Sequence, residues 1–357
     1  MIILEFIITL GILLFLHELG HFLVARLFKI EVEEFGFGFP PRLARLFTLG
    51  GTEFTLNWIP FGAFVRPKGE NDPDVPGGLG AASPWVRLAV LLGGPVMNIL
   101  TGVVLFAVLF TRVGMPDIST IEIAAVAQES PAAIAGVLPG DVILAVNGEP
   151  IDSMEELSTI IQSNLEQSVT IQLLRNGENV EISAVPRTDP PEGQGALGIE
   201  MTNPVMPITM LQAVPYGVQL AYEQGKLLVS MPVRLIQGQV APEEARFVGP
   251  KGMYDIYAQA RERDSEVSST TPTSPTPPAV NTLYLMATIS VALGMTNLFP
   301  IPALDGGRII FIIPEILLRR RVPAQYENMV HLIGFAALIL LMVYITTQDF
   351  VNPIVLP

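Results

Sequence analysis

The sequence has no cysteine, which removes disulfides and thiolate ligands, so any bound metal must be held by imidazole and carboxylate groups. Histidine is almost as scarce: His17, His21 and His331 are all there are. Basic residues are few as well. The 20 Lys and Arg stand against 34 Asp and Glu, and the resulting charge of -14 argues against nucleic acid as a partner. Charge of either sign is thin, since half of the residues are hydrophobic and mean hydropathy is +0.49, the composition of a membrane protein. The longest stretch without a spanning apolar run is Arg112 to about Val280. That stretch is expected to be a polar, acidic domain outside the lipid.

What is present starts at residue 1. Residues 1–28 are long enough to cross a bilayer at roughly 20 residues per span. They lack the basic n-region and small-residue cleavage site of a signal peptide. Inside this run lies His17-Glu18-Leu19-Gly20-His21. Two His at i and i+4 share one helix face, and ionisable groups at membrane depth are costly enough to be read as functional. Without a metal, several polar groups would be left unpaired there. Glu18, beside the first ligand candidate, is placed to activate water, as in the H-E-x-x-H helix of zinc hydrolases. Zinc is favoured over other metals because two imidazoles and a carboxylate, with one open position, form a familiar catalytic set.

Residues 29–84 carry Lys29, Arg42, Arg45, Arg66 and Lys68 just after Arg26, which places this region on the cytoplasmic side. Alternating apolar and polar residues from Glu31 to Gly69, around Gly50-Gly51, predict one or two β-hairpins. Such a hairpin either packs on the membrane domain or dips beside the metal and offers an edge to an extended substrate. Residues from Asn71 to Pro84 are a linker. A second span follows over 85–111 with Gly93-Gly94-Pro95-Val96-Met97-Asn98, a segment suited to close helix packing in which Asn98 is a candidate contributor to the cavity.

Residues 112–190 are expected outside the cytoplasm as short strands and helices. The run Ala135-Gly136-x-x-x-Gly140-Asp141-x-Ile143-x-x-x-Asn147-Gly148 resembles a PDZ domain, an α+β module that takes peptides by strand addition. Residues 191–264 read as helical runs interrupted at Pro215, Pro232 and Pro250, forming interfacial amphipathic helices on the outer leaflet. Residues 265–280, rich in Ser, Thr and Pro, read as a flexible linker. A third membrane element over 281–318 is broken at Asn297-Leu298-Phe299-Pro300-Ile301-Pro302-Ala303-Leu304-Asp305-Gly306-Gly307 and ends at Arg319, Arg320 and Arg321; a fourth follows over 326–348. Asp305 lies about as deep in its element as His17 and His21 in theirs, and it is preferred to His331 as third ligand because the broken helix opens its carboxylate to a polar cavity, with helix capping as its alternative role. Asn297 either binds a substrate carbonyl or caps the break.

Taken in order, His17-Glu18-x-x-His21, Gly94-Pro95-x-x-Asn98, the PDZ-like module and Asn297-x-x-Pro300-x-Pro302-x-Leu304-Asp305-Gly306 resemble the site-2 protease family, in its bacterial branch of zinc metalloproteases. The resemblance implies a polytopic α-helical membrane protein of about four transmembrane helices, with a membrane-associated β-hairpin region on the cytoplasmic side and an inserted extracytoplasmic PDZ domain. It implies that His17, His21 and Asp305 hold zinc, that Glu18 is the general base, and that Asn297 positions the substrate carbonyl. The implied partners are a single-span membrane substrate, a peptide in the PDZ groove and the lipid of a bacterial inner membrane. One PDZ module is found where some members carry two. A rival reading, a membrane PDZ scaffold with a structural metal, does not account for Glu18; an ion carrier lacks an internal repeat.

Overall fold

The computed structural model describes residues 1–70, 72–240, 246–270 and 279–354. It divides into two compact units, Met1–Arg112 with Thr209–Pro357, and Val113–Ile208.

The larger unit opens with α1 (Ile2–Leu27), whose unbroken apolar run ends where Lys29 takes a left-handed φ of 61°. Two long strands follow, β1 (Val32–Leu49) and β2 (Thr52–Pro67), reversing at Gly50 and Gly51 with φ of 58° and 86°. Glycine reaches such angles without steric cost. The pair is more than a simple hairpin. Residues Glu34 to Phe37 face Arg66 to Ala63 on one side and Glu53 to Leu56 on the other, so the ladder folds over itself into a small curved sheet. Phe35, fully buried, anchors this sheet to α1 through ring contacts with Phe15 at 5.4 Å and Phe22 at 5.5 Å. Next comes α2 (Pro84–Val113), begun by a proline at its first position, where no amide bond is lost.

The smaller unit runs β3 (Met115–Pro116), β4 (Ile121–Val126), α3 (Pro131–Ile134), β5 (Val142–Val146), β6 (Glu149–Pro150), α4 (Met154–Ser163), β7 (Val169–Arg175), β8 (Glu178–Ala184), β9 (Ile199–Thr202) and β10 (Val205–Met206). A six-stranded antiparallel sheet has the order β8-β7-β5-β4-β9 with β6 on β5, while β3 and β10 pair separately. Its apolar face and α4 close a core of Ile121, Ile123, Val146, Leu157, Val169 and Leu173. Ser153 caps α4, its hydroxyl accepting the Glu156 N–H at 3.2 Å, and Asp141 binds Arg175 through both carboxylate oxygens at 2.7 Å. The sheet reaches past the expected limit at residue 190, because β9 takes its edge. Four residues alternating with Glu200 and Thr202 are too short to signal a strand in sequence.

Back in the larger unit, α5 (Met210–Ile236) corrects the expected breaks at Pro215 and Pro232: the helix is continuous through both prolines. Ala213, Gly217, Ala221 and Gly225 form its buried stripe, and this close packing compensates for the lost backbone bonds. This face of α5 lies lengthwise on neighbouring helices, with Tyr216 by Phe110, Gly217 against the Val103 carbonyl, and Gln224 donating to the Tyr284 hydroxyl at 3.0 Å.

After it comes α6 (Pro250–Thr270), which corrects the linker expected from Ser265, since no proline falls between Pro250 and Pro272. The rest of that linker, 271–278, lies outside the described residues, as does Asn71 of the earlier one. The chain ends with α7 (Val280–Asn297), α8 (Asp305–Leu318) and α9 (Ala324–Val351). Buried Asp349 accepts the Gly249 and Gly252 N–H groups at 2.9 Å and closes the start of α6. Asp264 does the same for α7 through the amides of Asn281 and Thr282. Among the described residues, α1, α2 and α9 are long and apolar enough to cross a membrane.

Candidate metal centre

The helical period places His17 and His21 one turn apart on α1, facing α2. What lets the helices meet there is the absence of side chains. A Cβ on Gly94 would fall against both imidazoles, and one on Gly93 would lie 2.7 Å from the Gly20 carbonyl. Glycine at these positions is therefore a condition for the site and not mere packing.

Asp305 comes from the other end of the chain. It is the first residue of α8 and follows the break at Pro300 to Leu304; Leu304 is the N-cap and makes no side-chain cap bond. The Asp305 carboxylate is thus not used for capping and turns toward α1. His331 fixes the loop before it, its Nδ1 accepting the Ala303 N–H at 2.9 Å, where Ala303 holds a φ of 75°. His331 is accordingly a support for the break and lies outside the cluster.

His17, His21 and Asp305 form a group able to hold a metal ion. Nε2 of His17 lies 3.2 Å from Nε2 of His21, and Oδ2 of Asp305 lies 3.2 Å and 3.4 Å from the two nitrogens. Ligands at about 2.0–2.1 Å from a tetrahedral ion sit about 3.3 Å apart, so this triangle has the size of three corners of a zinc site. The protonation pattern agrees. His21 Nδ1 donates to the Val90 carbonyl at 2.7 Å, leaving the Nε2 lone pair free. The buried Asp305 Oδ2 has no hydrogen-bond partner among the described residues, which is the state of an atom awaiting a cation.

Asn98, fully buried on α2, meets His17 Nδ1 at 3.2 Å through Nδ2, while its Oδ1 has no partner among the described residues. Both observations are reconciled by turning the amide over. Oδ1 then accepts from Nδ1–H, and His17 Nε2 is freed for metal just as in His21.

The same cavity, about 320 Å³, is lined by Glu18, Phe64, Val65, Pro67 and Asn297 besides the three ligand candidates. Glu18 stands beside the cluster, and its Oε2 accepts the Val65 N–H at 3.1 Å. Val65 lies opposite Phe35 of β1, and its N–H turns the other way to Glu18, so the outward edge of β2 faces the cluster. The structure thus brings together His17, Glu18, His21, Asn297 and Asp305 around one space. Sequence reading offered a hairpin edge beside the metal as one of two placements and missed Val90, which acts through its backbone carbonyl and so carries no residue signature.

The profile of peptidase family M50 matches residues 5–341. The chain belongs to that family. Relatives match over nearly their full lengths: a protein of Clostridium perfringens named as a candidate zinc metalloprotease is 31% identical over 96% of each chain. A second of the same description, from Clostridium acetobutylicum, is 28% identical over 98% of this chain and 97% of its own. Among solved structures, the PDZ domain of an SdrC-like protein from Listeria monocytogenes is 21% identical over a match covering 23% of this chain and 87% of that one, at a TM-score of 0.21. The M50 chain is therefore a membrane peptidase by family, and the resemblance read in its sequence extends over nearly its whole length.

Proposed function

We propose that this M50 peptidase is an intramembrane zinc metalloprotease that cuts single-span membrane proteins already shortened outside the bilayer. The observation that carries the reading is the triangle of His17, His21 and Asp305, with Glu18 opening into the same cavity. The three residues would hold zinc, which when bound supplies a Lewis acid that polarises a carbonyl and lowers the pKa of water toward neutrality.

The remaining work falls to the chain's own groups. Glu18 accepts the proton of the attacking water and passes it to the leaving amine. Asn297, at the end of α7 and on the cavity wall, hydrogen-bonds the substrate carbonyl. The free edge of β2 at Phe64 to Pro67 pairs with the substrate as an added strand. Strand pairing requires the substrate helix to unwind, and unwinding exposes a peptide bond that a helix keeps internally bonded.

In this reading α7 and α8 act in series as one broken crossing beside α1, α2 and α9, giving four crossings. Arg26, Lys29 and Arg319 to Arg321 mark the cytoplasmic side of a bacterial inner membrane. The smaller unit is then an extracytoplasmic PDZ domain. Its sheet offers β9 as outermost strand, next to a recess of about 210 Å³ lined by Val126, Gly195, Gly198 and Ile199, where an extended peptide segment can be taken.

The test is Glu18→Gln in protein reconstituted with a single-span substrate. The variant is expected to keep its zinc and lose cleavage by roughly a hundredfold or more, the scale of a missing general base. Undiminished cleavage would remove Glu18 from the reaction.

A further inference from the structure

The cavity around the cluster is bounded on one side by an ion pair that the mechanism above leaves unused. On α8, positions 305, 308, 312 and 315 follow helical spacing and share one face. Asp305 turns into the cavity, and Ile312 is buried. Arg308 Nη1 binds Glu70 Oε1, and Glu315 binds Arg87. Just beyond the helix, Arg321 donates to the Gly80 carbonyl at 2.6 Å. This row clamps α8 onto residues 70–87. Among these contacts, the Arg308–Glu70 pair is the one that lines the cavity together with Glu18 and Asp305.

Glu70 is joined to the β2 edge by a short, stiff connection. Pro67 ends the strand, and Gly69 turns the chain at a φ of 53°. Amides of Leu79 and Gly80 donate to the carbonyls of Lys68 and Gly69, both at 2.9 Å. A force on Glu70 is therefore passed to Pro67, Val65 and Phe64, the cavity-lining part of the edge. The side chains of Glu70 and Arg308 are 31% and 33% exposed. Deleting Arg308 would leave the Glu70 carboxylate unpaired beside a cavity that already holds the carboxylates of Glu18 and Asp305, so like charges would push it away.

We propose that Arg308 is a positioning residue: its grip on Glu70 sets the β2 edge at the spacing from Asp305 and Glu18 that a substrate strand requires. The inference rests on the proteolytic reading for the substrate and on geometry alone for the latch. It links α8, which carries one ligand candidate, to the strand that aligns the peptide.

Because the chain has no native cysteine, a single introduced thiol reports on the edge cleanly. Pro67→Cys, and Leu79→Cys as a second reporter in case the proline change perturbs the strand, both place it at a buried position on the cavity wall. Maleimide labelling in membranes is compared with Arg308 intact, Arg308→Gln and Arg308→Lys, beside zinc content and cleavage kinetics. Arg308→Gln is expected to raise the labelling rate and the KM by roughly tenfold each, with kcat within about threefold and zinc unchanged; Arg308→Lys restores most of both. Unchanged labelling at both reporters would overturn the latch, whatever the activity. Raised labelling with an unchanged KM would overturn its role in substrate alignment. If the intact chain cleaves nothing, the proteolytic reading fails, while labelling still decides whether Arg308 holds the edge.

Discussion

His17 and His21 are local in sequence, and their i, i+4 spacing alone put both imidazoles on one side of α1. Their hydrogen-bonding partners are not local. Val90 and Asn98 reach them only because α1 and α2 cross at glycines, and that crossing fixes which ring nitrogen carries the proton. For Asn98 the assignment has a direct consequence. If its carbonyl oxygen accepts from His17 Nδ1–H, the useful property is acceptance, and an aspartate can replace it where an alanine cannot. Asn98→Ala is expected to weaken zinc binding by about 10- to 100-fold, and Asn98→Asp by far less, as read by competition with a chelating dye. Equal losses in the two variants would show that Asn98 fills space and does not orient the ring.

At the level of elements, the apolar spans and the Gly50-Gly51 reversal were legible because their signals are periodic or depend on glycine. Two features were not. The double pairing of Glu34 to Phe37 needs two separate segments of β2, 53–56 and 63–66, to return to opposite sides of the same backbone, and no alternation pattern encodes that. In α5, Pro215 and Pro232 read as breaks, yet the helix continues because its Ala213, Gly217, Ala221 and Gly225 stripe lies close on neighbouring helices. Tertiary contact here outweighs local propensity. The stripe makes α5 sensitive to volume. A Cβ at Gly217 would already sit 2.6 Å from the Val103 carbonyl and 3.0 Å from the Ala107 nitrogen. Gly217→Leu is expected to push α5 off α2 at a cost of about 1–3 kcal/mol, seen as a lower unfolding temperature, whereas Gly11→Leu, within α1 and with open space around its Cβ, separates crowding from mere loss of glycine. An unshifted Gly217→Leu would mean that α5 is not seated on α2 in the membrane.

Across the whole molecule, the meeting of Asp305 with His17 and His21 was anticipated from depth, because the basic residues that follow each of two apolar segments allow positions along them to be compared. The contact of Arg308 with Glu70 had no such guide, since it depends on how a loop is folded after β2. The long-range cluster should have a thermodynamic signature of its own. A metal bound by His21 and Asp305 closes a chain segment of 284 positions (305 minus 21), joining the first and last thirds of the larger unit. An ion that binds the folded state but not the unfolded chain stabilises it by about 2.7 kcal/mol when present at 100 times its Kd. Stripping zinc with a chelator is therefore expected to lower the unfolding temperature of the larger unit by roughly 5–10 °C. Amide protection in the six-stranded sheet should stay as it was, because that sheet and its core belong to the other compact unit. In Asp305→Ala the chelator should have little left to remove, so its shift should shrink toward zero. A chelator that leaves the intact chain's unfolding temperature unmoved would mean that the triangle of donors is held by protein packing and not by an ion, and the proposal of a metalloprotease would lose its physical basis.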